Sequence, residues 1–148
     1  MKTAVILNGP NLNLLGTREP AVYGAQTLAD VEKLCADACA VHGMKLDFRQ
    51  TNHEGVLVDW VQEAREKAAG VVINPAGLSF RSIPLLDALK TLDQPIAEVH
   101  VTNIHRRDEL YQKSLVSLAA TGVICGFGVH GYDMAIRALA HRLAQPVA

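Results

Sequence analysis

The chain has 148 residues, of which 49% are hydrophobic and 20% are charged, and its formal net charge is −1 when histidine is counted as neutral. This length is typical of one globular domain, so we predict a single domain over residues 1–148. The nearly neutral balance argues against a nucleic-acid partner. No apolar run is long enough to cross a membrane and no secretory signal opens the chain, so we expect a cytoplasmic protein that does not bind a membrane.

Short apolar runs alternate with helical patterns along the whole chain. The apolar runs predict strands over residues 3–7, 45–49, 71–74, 96–101 and 122–126. The helical patterns predict helices over residues 27–42, 56–69, 82–91 and 131–144. Thr27 and Ser82 are suited to cap the first and third helices. We expect Gly43 and Gly70 to end the first two helices and Gly131 to precede the last.

Two of the predicted strands, 71–74 and 122–126, contain unbroken apolar runs rather than alternating ones. Such runs are typical of a parallel sheet that is covered on both faces. Together with the alternation of strands and helices, they predict an α/β fold: a flavodoxin-like, doubly wound, five-stranded parallel sheet of order 2-1-3-4-5. In such sheets ligands bind outside the carboxyl ends of the strands where the strand order reverses, here between strands 1 and 3.

Polar side chains follow three of the predicted strands at the ends where a ligand would bind. Strand 1 is followed by Asn11, Asn13, Arg18 and Tyr23, strand 3 ends at Asn74, and strand 4 is closed by His100, Thr102 and Asn103. We expect these residues to meet in one crevice that binds a small molecule.

Arg18 and Tyr23 lie on a long, glycine-punctuated connection after strand 1 and together have the chemistry of a base. A free tyrosine titrates at about pH 10 and needs roughly 2–3 pKa units of help to act as a base near neutral pH. A guanidinium held about 4 Å away supplies roughly 4 kcal/mol, which is enough. The alternatives are a packed loop tyrosine and a surface arginine paired with Glu19 or Asp30.

His100 and Asn74 have the chemistry to act on the same ligand. His100 could donate a proton as a general acid, and Asn74 could orient a water or a substrate hydroxyl. The alternatives are a core histidine bonded to backbone and an asparagine that caps a strand end. Phosphate-binding loops, dinucleotide fingerprints, serine nucleophile elbows and zinc-pair histidine spacings are absent from the sequence. The sequence therefore favours acid–base chemistry on a small uncharged or anionic molecule.

A segment that reads Asn-Gly-Pro-Asn-Leu-Asn-Leu-Leu-Gly-Thr-Arg-Glu-Pro spans residues 8–20 and precedes Tyr23-Gly24. Further motifs occupy residues 50–55, 73–76, 98–105 and 122–132. These motifs resemble the type II 3-dehydroquinate dehydratases over nearly the whole chain. The resemblance implies a flavodoxin-like fold, trimers assembled into a dodecamer, and neither metal nor organic cofactor. It also implies elimination of water from 3-dehydroquinate, a cyclic carboxylic acid, to give 3-dehydroshikimate through an enolate with anti stereochemistry.

The resemblance also implies catalytic roles for individual residues. The base falls on Tyr23 and the essential loop arginine falls on Arg18. Asn11 would help to hold a water that stabilises the enolate, Asn74 would orient the substrate and the acid, and His100 would be the acid.

Five more positions concern substrate binding. The resemblance implies that the backbone amides of Val101 and Thr102 hold the substrate carboxylate and that Asp87 reaches into the site of a neighbouring subunit. Two positions depart from the family pattern. Phe80 stands where the family has a histidine that touches the substrate, and Tyr111 stands where it has an arginine that contacts ring hydroxyls. We therefore predict weaker use of 3-dehydroquinate, mostly through a higher KM.

The departures leave a second interpretation open: a relative with the same fold that takes a different cyclic acid, or that binds one without turning it over. Arg81 or Arg107 could also restore the lost contacts. A further departure, Leu86 in place of a helix arginine, is expected near the subunit contact. The loop from about Leu15 to Gly24 is expected to act as a lid. Both a biosynthetic and a catabolic pathway are consistent with these motifs.

Overall fold

The computed structural model describes residues 1–17, 19, 21 and 24–145. The strands are β1 Thr3–Asn8, β2 Lys45–Gln50, β3 Gly70–Asn74, β4 Ile96–His100 and β5 Gly122–Cys125. The helices are α1 Leu28–Val41, α2 Glu54–Lys67, α3 Ile83–Leu89 and α4 His130–Ala144. Within the described ranges, no helix is long and apolar enough to cross a membrane.

The five strands form one parallel sheet in the order β2-β1-β3-β4-β5. This confirms the predicted α/β, flavodoxin-like fold and its strand order. The chain leaves β1 on one side for β2 and returns to its other side for β3, so the order reverses there. At the carboxyl ends of these two strands, Asn8 and Asn74 are register partners. Their side chains therefore start from neighbouring positions at the edge where the ligand site was predicted.

The alternation of side chains along β1 explains why helices cover both faces of the sheet. Successive residues of a strand point to opposite faces, so Ile6 packs in one hydrophobic cluster and Leu7 in the other. The Ile6 cluster includes residues of α1 and α4, among them Val31, Cys35, Tyr132 and Ile136. The Leu7 cluster includes residues of α2 and α3, among them Leu57, Val61, Leu85 and Leu89. The two helical layers leave the carboxyl ends of the strands open.

Local hydrogen bonds define the ends of α1 and the start of α3. Thr27 Oγ1 accepts the N–H of Asp30 at 3.2 Å, and Asp30 Oδ2 accepts the N–H of Thr27 at 3.0 Å, which makes a capping box. Ser82 Oγ accepts the N–H of Leu85 at 3.1 Å. Gly43 follows α1 with a φ of +65°, in the left-handed region where glycine is favoured. These three predicted helix ends are confirmed.

Two predicted helix ends are wrong. Gly70 is the first residue of β3 and does not end α2, because the chain already becomes extended at Ala68. The small size of Gly70 serves packing instead, since a Cβ there would lie 3.2 Å from Leu139 Cδ1. Gly131 lies inside the first turn of α4 rather than before the helix.

The edge strand β5 is less covered than its apolar sequence suggested. Among the described residues, β5 pairs only with β4, and Val123 is 42% exposed. Leu118 before the strand and Phe127 after it are exposed as well. The expectation that this apolar run is covered on both faces is therefore wrong for the described chain. An apolar run shows that a surface favours burial, but not which part of the protein, or which partner, covers it.

Candidate active site

A cavity of about 260 Å³ opens at the carboxyl ends of the central strands. The predicted site residues that line it are Asn11, Asn74, Phe80, His100, Val101, Thr102 and Tyr111. They come from the segments that follow β1, β3 and β4, as the fold prediction required. The structure therefore brings these residues together in one crevice, while their individual roles stay predictions.

Asn13 and Asn103, which the sequence analysis expected in the same crevice, do not line this cavity. Arg18 and Tyr23 lie outside the described residues, as does part of the predicted lid over residues 15–24, so these assignments stay predictions. Asp87 is exposed on α3, and its role in a neighbouring site also stays a prediction. Leu86 is only 6% exposed. It therefore packs within its own chain and has little surface to offer a neighbouring subunit.

His100 ends β4 and is held by Glu98, which lies two residues earlier on the same face of the strand. Nε2 of the imidazole makes a hydrogen bond with Oε2 of the carboxylate, and Ser117 Oγ donates to Oε1 at 2.7 Å. Both Glu98 and His100 are buried. Because Nε2 is engaged, Nδ1 is the ring nitrogen that remains for a ligand in the cavity that His100 lines.

The charge on Glu98 determines what His100 can do. Burial alone would raise the pKa of Glu98, but the hydrogen bonds from His100 and Ser117 outweigh it and hold the pKa below its ordinary value. The carboxylate is therefore negatively charged at neutral pH. The carboxylate therefore accepts the hydrogen on Nε2 and holds the imidazole in a fixed orientation. An imidazole held in this way can exchange a proton through Nδ1 with an atom bound in the cavity.

Asn11 is positioned by side chains at the end of β2. Its φ of +71° lies in the left-handed region, which asparagine tolerates better than most residues. Its N–H donates to Asn52 Oδ1 at 2.9 Å, and the same oxygen accepts Gln50 Nε2 at 3.1 Å. Gln50 Nε2 also donates to the carbonyl of Gly9 at 3.2 Å. The β2 segment therefore fixes the main chain of Asn11 at the cavity wall.

Gly9 allows the loops after β1 and β3 to approach closely. A Cβ on Gly9 would lie 2.5 Å from the carbonyl oxygen of Pro75, so a larger residue would force the loops apart. Ala76 has a φ of +52°, which is strained for alanine, and its N–H donates to Asn74 Oδ1 at 3.2 Å. Strained backbone of this kind is common where a structure positions a ligand.

Asn74 also contacts Tyr132, a fully buried residue of α4. Asn74 Nδ2 donates to the Tyr132 hydroxyl at 2.9 Å, and that hydroxyl donates to Asn8 Oδ1 at 2.7 Å. Burial raises the pKa of Tyr132 far above its ordinary value. Tyr132 therefore stays protonated and acts as a hydrogen-bonding group rather than as a base.

The two residues that depart from the family motifs lie together in the cavity wall. Phe80 stacks beside the His100 imidazole, with ring centres 6.3 Å apart and an interplanar angle of 29°. The Tyr111 ring meets Phe80 edge to face at 5.5 Å. The guanidinium carbon of Arg107 lies 4.2 Å from the centre of the Tyr111 ring, and Arg107 also lines the cavity. The wall therefore combines two aromatic rings with one positive charge.

The polar groups of the cavity are suited to hydrogen bonding and proton transfer. They include two carboxamides, the imidazole of the Glu98–His100 pair and the guanidinium of Arg107. Among the described residues, no group of three or more His, Cys, Asp or Glu side chains is arranged to hold a metal ion.

Comparison with known proteins decides the family. A family model described as "Dehydroquinase class II" matches residues 2–140. The chain belongs to the class II dehydroquinase family. This confirms the resemblance of the sequence motifs to the type II 3-dehydroquinate dehydratases.

Individual dehydroquinases match the chain closely. It is 57% identical over 135 residues to "3-dehydroquinate dehydratase 1" of Agrobacterium fabrum, covering 91% of this chain and 93% of that relative. It is 59% identical over 137 residues to "3-dehydroquinate dehydratase" of Streptomyces avermitilis, covering 92% and 86% respectively. The crystal structure of a type II dehydroquinase from Propionibacterium acnes superposes with a TM-score of 0.91 at 39% identity, covering 95% of this chain and 97% of that one.

Two buried residues of this dehydroquinase site, Glu98 and Tyr132, were missed by the sequence interpretation. Glu98 carried a usable signal, because a carboxylate inside an apolar strand requires a partner and His100 lies two residues away on the same face. Tyr132 carried no comparable signal. Its partners Asn74 and Asn8 lie 58 and 124 positions away in the sequence.

Proposed function

We propose that the chain is a hydro-lyase that eliminates water from 3-dehydroquinate to give 3-dehydroshikimate through an enolate. The observation that carries the proposal is the buried Glu98–His100 pair at the cavity, in a chain 57% and 59% identical to relatives named 3-dehydroquinate dehydratase. Hydroxide leaves poorly unless a general acid protonates it. An imidazole held by a carboxylate supplies that acid.

The first step removes a proton from the carbon beside the ketone, and the electron pair moves onto the carbonyl oxygen to form the enolate. We assign the base to Tyr23 and its activation to Arg18. Their places in the family motif and the attraction between a guanidinium and a phenolate, roughly 4 kcal/mol at about 4 Å, support the assignment. Asn11, whose main chain is fixed at the cavity wall, would help to hold a water against the enolate oxygen.

The second step breaks the bond between the ring carbon and the leaving hydroxyl as the enolate reforms the ketone. His100 gives its Nδ1 proton to the departing oxygen, which leaves as water. The negative charge of Glu98 supports this role because it stabilises the protonated imidazole before the transfer. The carbon–carbon double bond of the product is conjugated with its ketone. The cycle closes when Tyr23 releases the proton that it gained and His100 takes one up.

The substrate carboxylate would be held by the backbone amides of Val101 and Thr102. Both residues line the cavity directly after His100, so a carboxylate there would place the ring beside the acid. The carbonyl of Val101 accepts the N–H of Gly128 at 3.0 Å, which anchors this segment to the loop after β5. No cofactor takes part in the proposed steps.

We also propose a homo-oligomer in which trimers assemble into a dodecamer and Asp87 completes the site of a neighbouring subunit. The exposure of Asp87 outside its own cavity supports this arrangement. So do the exposed apolar side chains around β5: Leu118, Val123 and Phe127. Light scattering at micromolar concentration is expected to show a trimer-based assembly. A monomer would contradict the assembly and separate Asp87 from the chemistry.

The test of the proposed function is incubation with 3-dehydroquinate while the ultraviolet absorbance of the conjugated enone is followed. The wild type is expected to form the enone catalytically. Tyr23→Phe and Arg18→Ala are expected to lose the rate by orders of magnitude, since the first removes the base and the second leaves it protonated. Failure to form the enone at high protein concentration would overturn the function, and normal turnover by Tyr23→Phe would overturn the base.

A second candidate substrate is a related cyclic acid with a less polar ring. The contact between Phe80 and Tyr111 favours it, because it places an apolar wall in the cavity. Kinetics measured in parallel with the Agrobacterium fabrum relative separate the two candidates. A kcat/KM that is higher for the less polar acid than for 3-dehydroquinate would favour the second candidate, because a lower kcat/KM for 3-dehydroquinate alone is already expected from the departures at Phe80 and Tyr111.

A further inference from the structure

A chain of buried hydrogen bonds links the cavity to groups that no ligand can touch. It runs from the carbonyl of Arg49 through Asn8 and Tyr132 to Asn74 and ends at the N–H of Ala76. Asn8 and Tyr132 are fully buried and neither lines the cavity, whereas Asn74 does. Any effect of Asn8 or Tyr132 on a bound molecule must therefore pass through the protein.

The two ends of this chain give every hydrogen bond in it a direction. Asn8 Nδ2 donates to the main-chain carbonyl of Arg49 at 3.0 Å, so Asn8 Oδ1 faces Tyr132 and accepts its hydroxyl. Asn74 Oδ1 accepts the main-chain N–H of Ala76, so Asn74 Nδ2 faces Tyr132 and donates to it. Main-chain groups cannot exchange donor for acceptor. The Tyr132 hydroxyl is therefore a donor toward Asn8 and an acceptor from Asn74.

This directionality determines what Asn74 offers to the cavity. A carboxamide nitrogen carries two hydrogens, and one of them is used by Tyr132. The second N–H is left for a ligand, while the oxygen is turned toward Ala76. If the amide were rotated by half a turn, it would present an acceptor instead and would repel a hydroxyl oxygen or an enolate.

We propose that Tyr132 is a positioning residue that holds the Asn74 carboxamide with its nitrogen toward the cavity, so that Asn74 binds a ligand oxygen as a donor. Asn8 supports this role because it fixes the direction of the Tyr132 hydroxyl. The high pKa of Tyr132 keeps the hydroxyl protonated across the working pH range. The inference rests on the proposed function only for the substrate used in its test.

The test is a double-mutant cycle in kcat/KM for 3-dehydroquinate with Tyr132→Phe and Asn74→Ala. Tyr132→Phe keeps the ring and removes only the hydroxyl, and it is expected to lower kcat/KM by roughly tenfold to a hundredfold. In the Asn74→Ala background the same change is expected to have an effect of less than about twofold, because the residue through which it acts is gone. An unchanged kcat/KM in Tyr132→Phe, or an equal loss in both backgrounds, would overturn the proposal.

Ile136→Val is the matched control for a general loss of packing. Ile136 lies one turn further along α4, is fully buried and does not line the cavity. The Ile136→Val variant is expected to have a lower thermal midpoint than wild type and an unchanged kcat/KM. If Tyr132→Phe does not fold, Asn8→Ala tests the same chain of hydrogen bonds. It removes the acceptor that orients the Tyr132 hydroxyl, and an unchanged kcat/KM there would overturn the proposal.

Hydrogen exchange of the Asn74 side-chain amide, followed by NMR, tests the network without turnover. The exchange rate is expected to rise by roughly tenfold or more in Tyr132→Phe but not in Ile136→Val. Equal rates in wild type and Tyr132→Phe would overturn the proposal. Turnover of 3-dehydroquinate by the wild type is a separate result. An inactive wild type would overturn the proposed function, and the exchange measurement would then decide the role of Tyr132.

Discussion

Phe80 and Tyr111 contact each other edge to face in the wall of the active-site cavity, with ring centres 5.5 Å apart. The family resemblance implies a polar residue at each of these positions, so two implied departures that are 31 positions apart in the sequence meet in space. Arg107 lies over the Tyr111 ring and lines the same cavity, whereas Arg81 is not among the lining residues. Of the two arginines that could restore the lost contacts, Arg107 is therefore the one that lines the cavity.

Tyr111 is expected to act through its ring rather than its hydroxyl. Tyr111→Phe keeps the surface against which the Arg107 guanidinium lies, and we expect its KM for 3-dehydroquinate to stay within about twofold of wild type. Tyr111→Leu removes that surface and is expected to raise KM by roughly threefold to thirtyfold, with less effect on kcat. Steady-state kinetics of the two variants decide the point. Equal KM values for them would show that the ring does not position Arg107.

The double variant Phe80→His with Tyr111→Arg restores the residues implied by the family resemblance. We expect a gain in kcat/KM of no more than about threefold, because a guanidinium at position 111 would stand beside that of Arg107 and the two would repel each other. Measurement of kcat/KM with 3-dehydroquinate tests this. A gain of a hundredfold would show instead that the aromatic pair only weakens an ordinary dehydroquinase site.

Glu98→Gln removes the negative charge beside His100 while keeping the shape of the side chain. We expect kcat to fall by about tenfold to a hundredfold, because the protonated imidazole loses the carboxylate that stabilises it. A kcat that matches wild type would show that the charge of Glu98 does not support the acid. Ser117→Ala, which leaves the charge in place, is the control and is expected to have a smaller effect.

Stability in acid is expected to depend on Glu63. Arg49 donates to both carboxylate oxygens of Glu63, at 2.8 and 3.0 Å, and with Lys67 lowers the pKa of Glu63 to about 2. An unfolded glutamate titrates at about 4.3. The contribution of this group is therefore present above that pH and is lost as the pH falls toward 2.

Thermal midpoints measured between pH 6 and pH 2 test this dependence. We expect Glu63→Gln to be less stable than wild type at pH 6 and to lose less stability as the pH falls, so that the two curves converge in acid. Parallel curves would show that the Arg49 contact contributes nothing to acid sensitivity. Asp37→Asn, in the exposed pair with Lys33, is the control and is expected to follow the wild-type curve.

The sheet and the place of the site followed from the sequence because local patterns determine them. Apolar runs alternating with helical periodicity predict a parallel sheet, and the topology of such a sheet brings Asn11, Asn74 and His100 to one edge. Helix ends were predicted correctly where a side chain makes the cap, as at Thr27. The end of α2 was misplaced at Gly70, because the chain becomes extended at Ala68, an ordinary residue that gives no signal in the sequence.

The parts that the sequence could not supply depend on contacts between distant segments. The partners of Tyr132 are known only once β1, β3 and α4 are packed together. The same is true of the contact between Phe80 and Tyr111, which looked like two independent departures in the sequence. The exposure of Val123 on β5 depends on what lies beside the sheet edge rather than on the strand itself.

In the proposed reaction, His100 gives the proton that turns the leaving hydroxyl into water. The kcat of His100→Ala with 3-dehydroquinate, measured from the enone absorbance at saturating substrate, tests this role. We predict a fall of about 10²–10⁴ with a much smaller change in KM, because the variant loses the acid but keeps the other groups that bind the substrate. A folded His100→Ala protein that turns over 3-dehydroquinate at the wild-type rate would contradict this role.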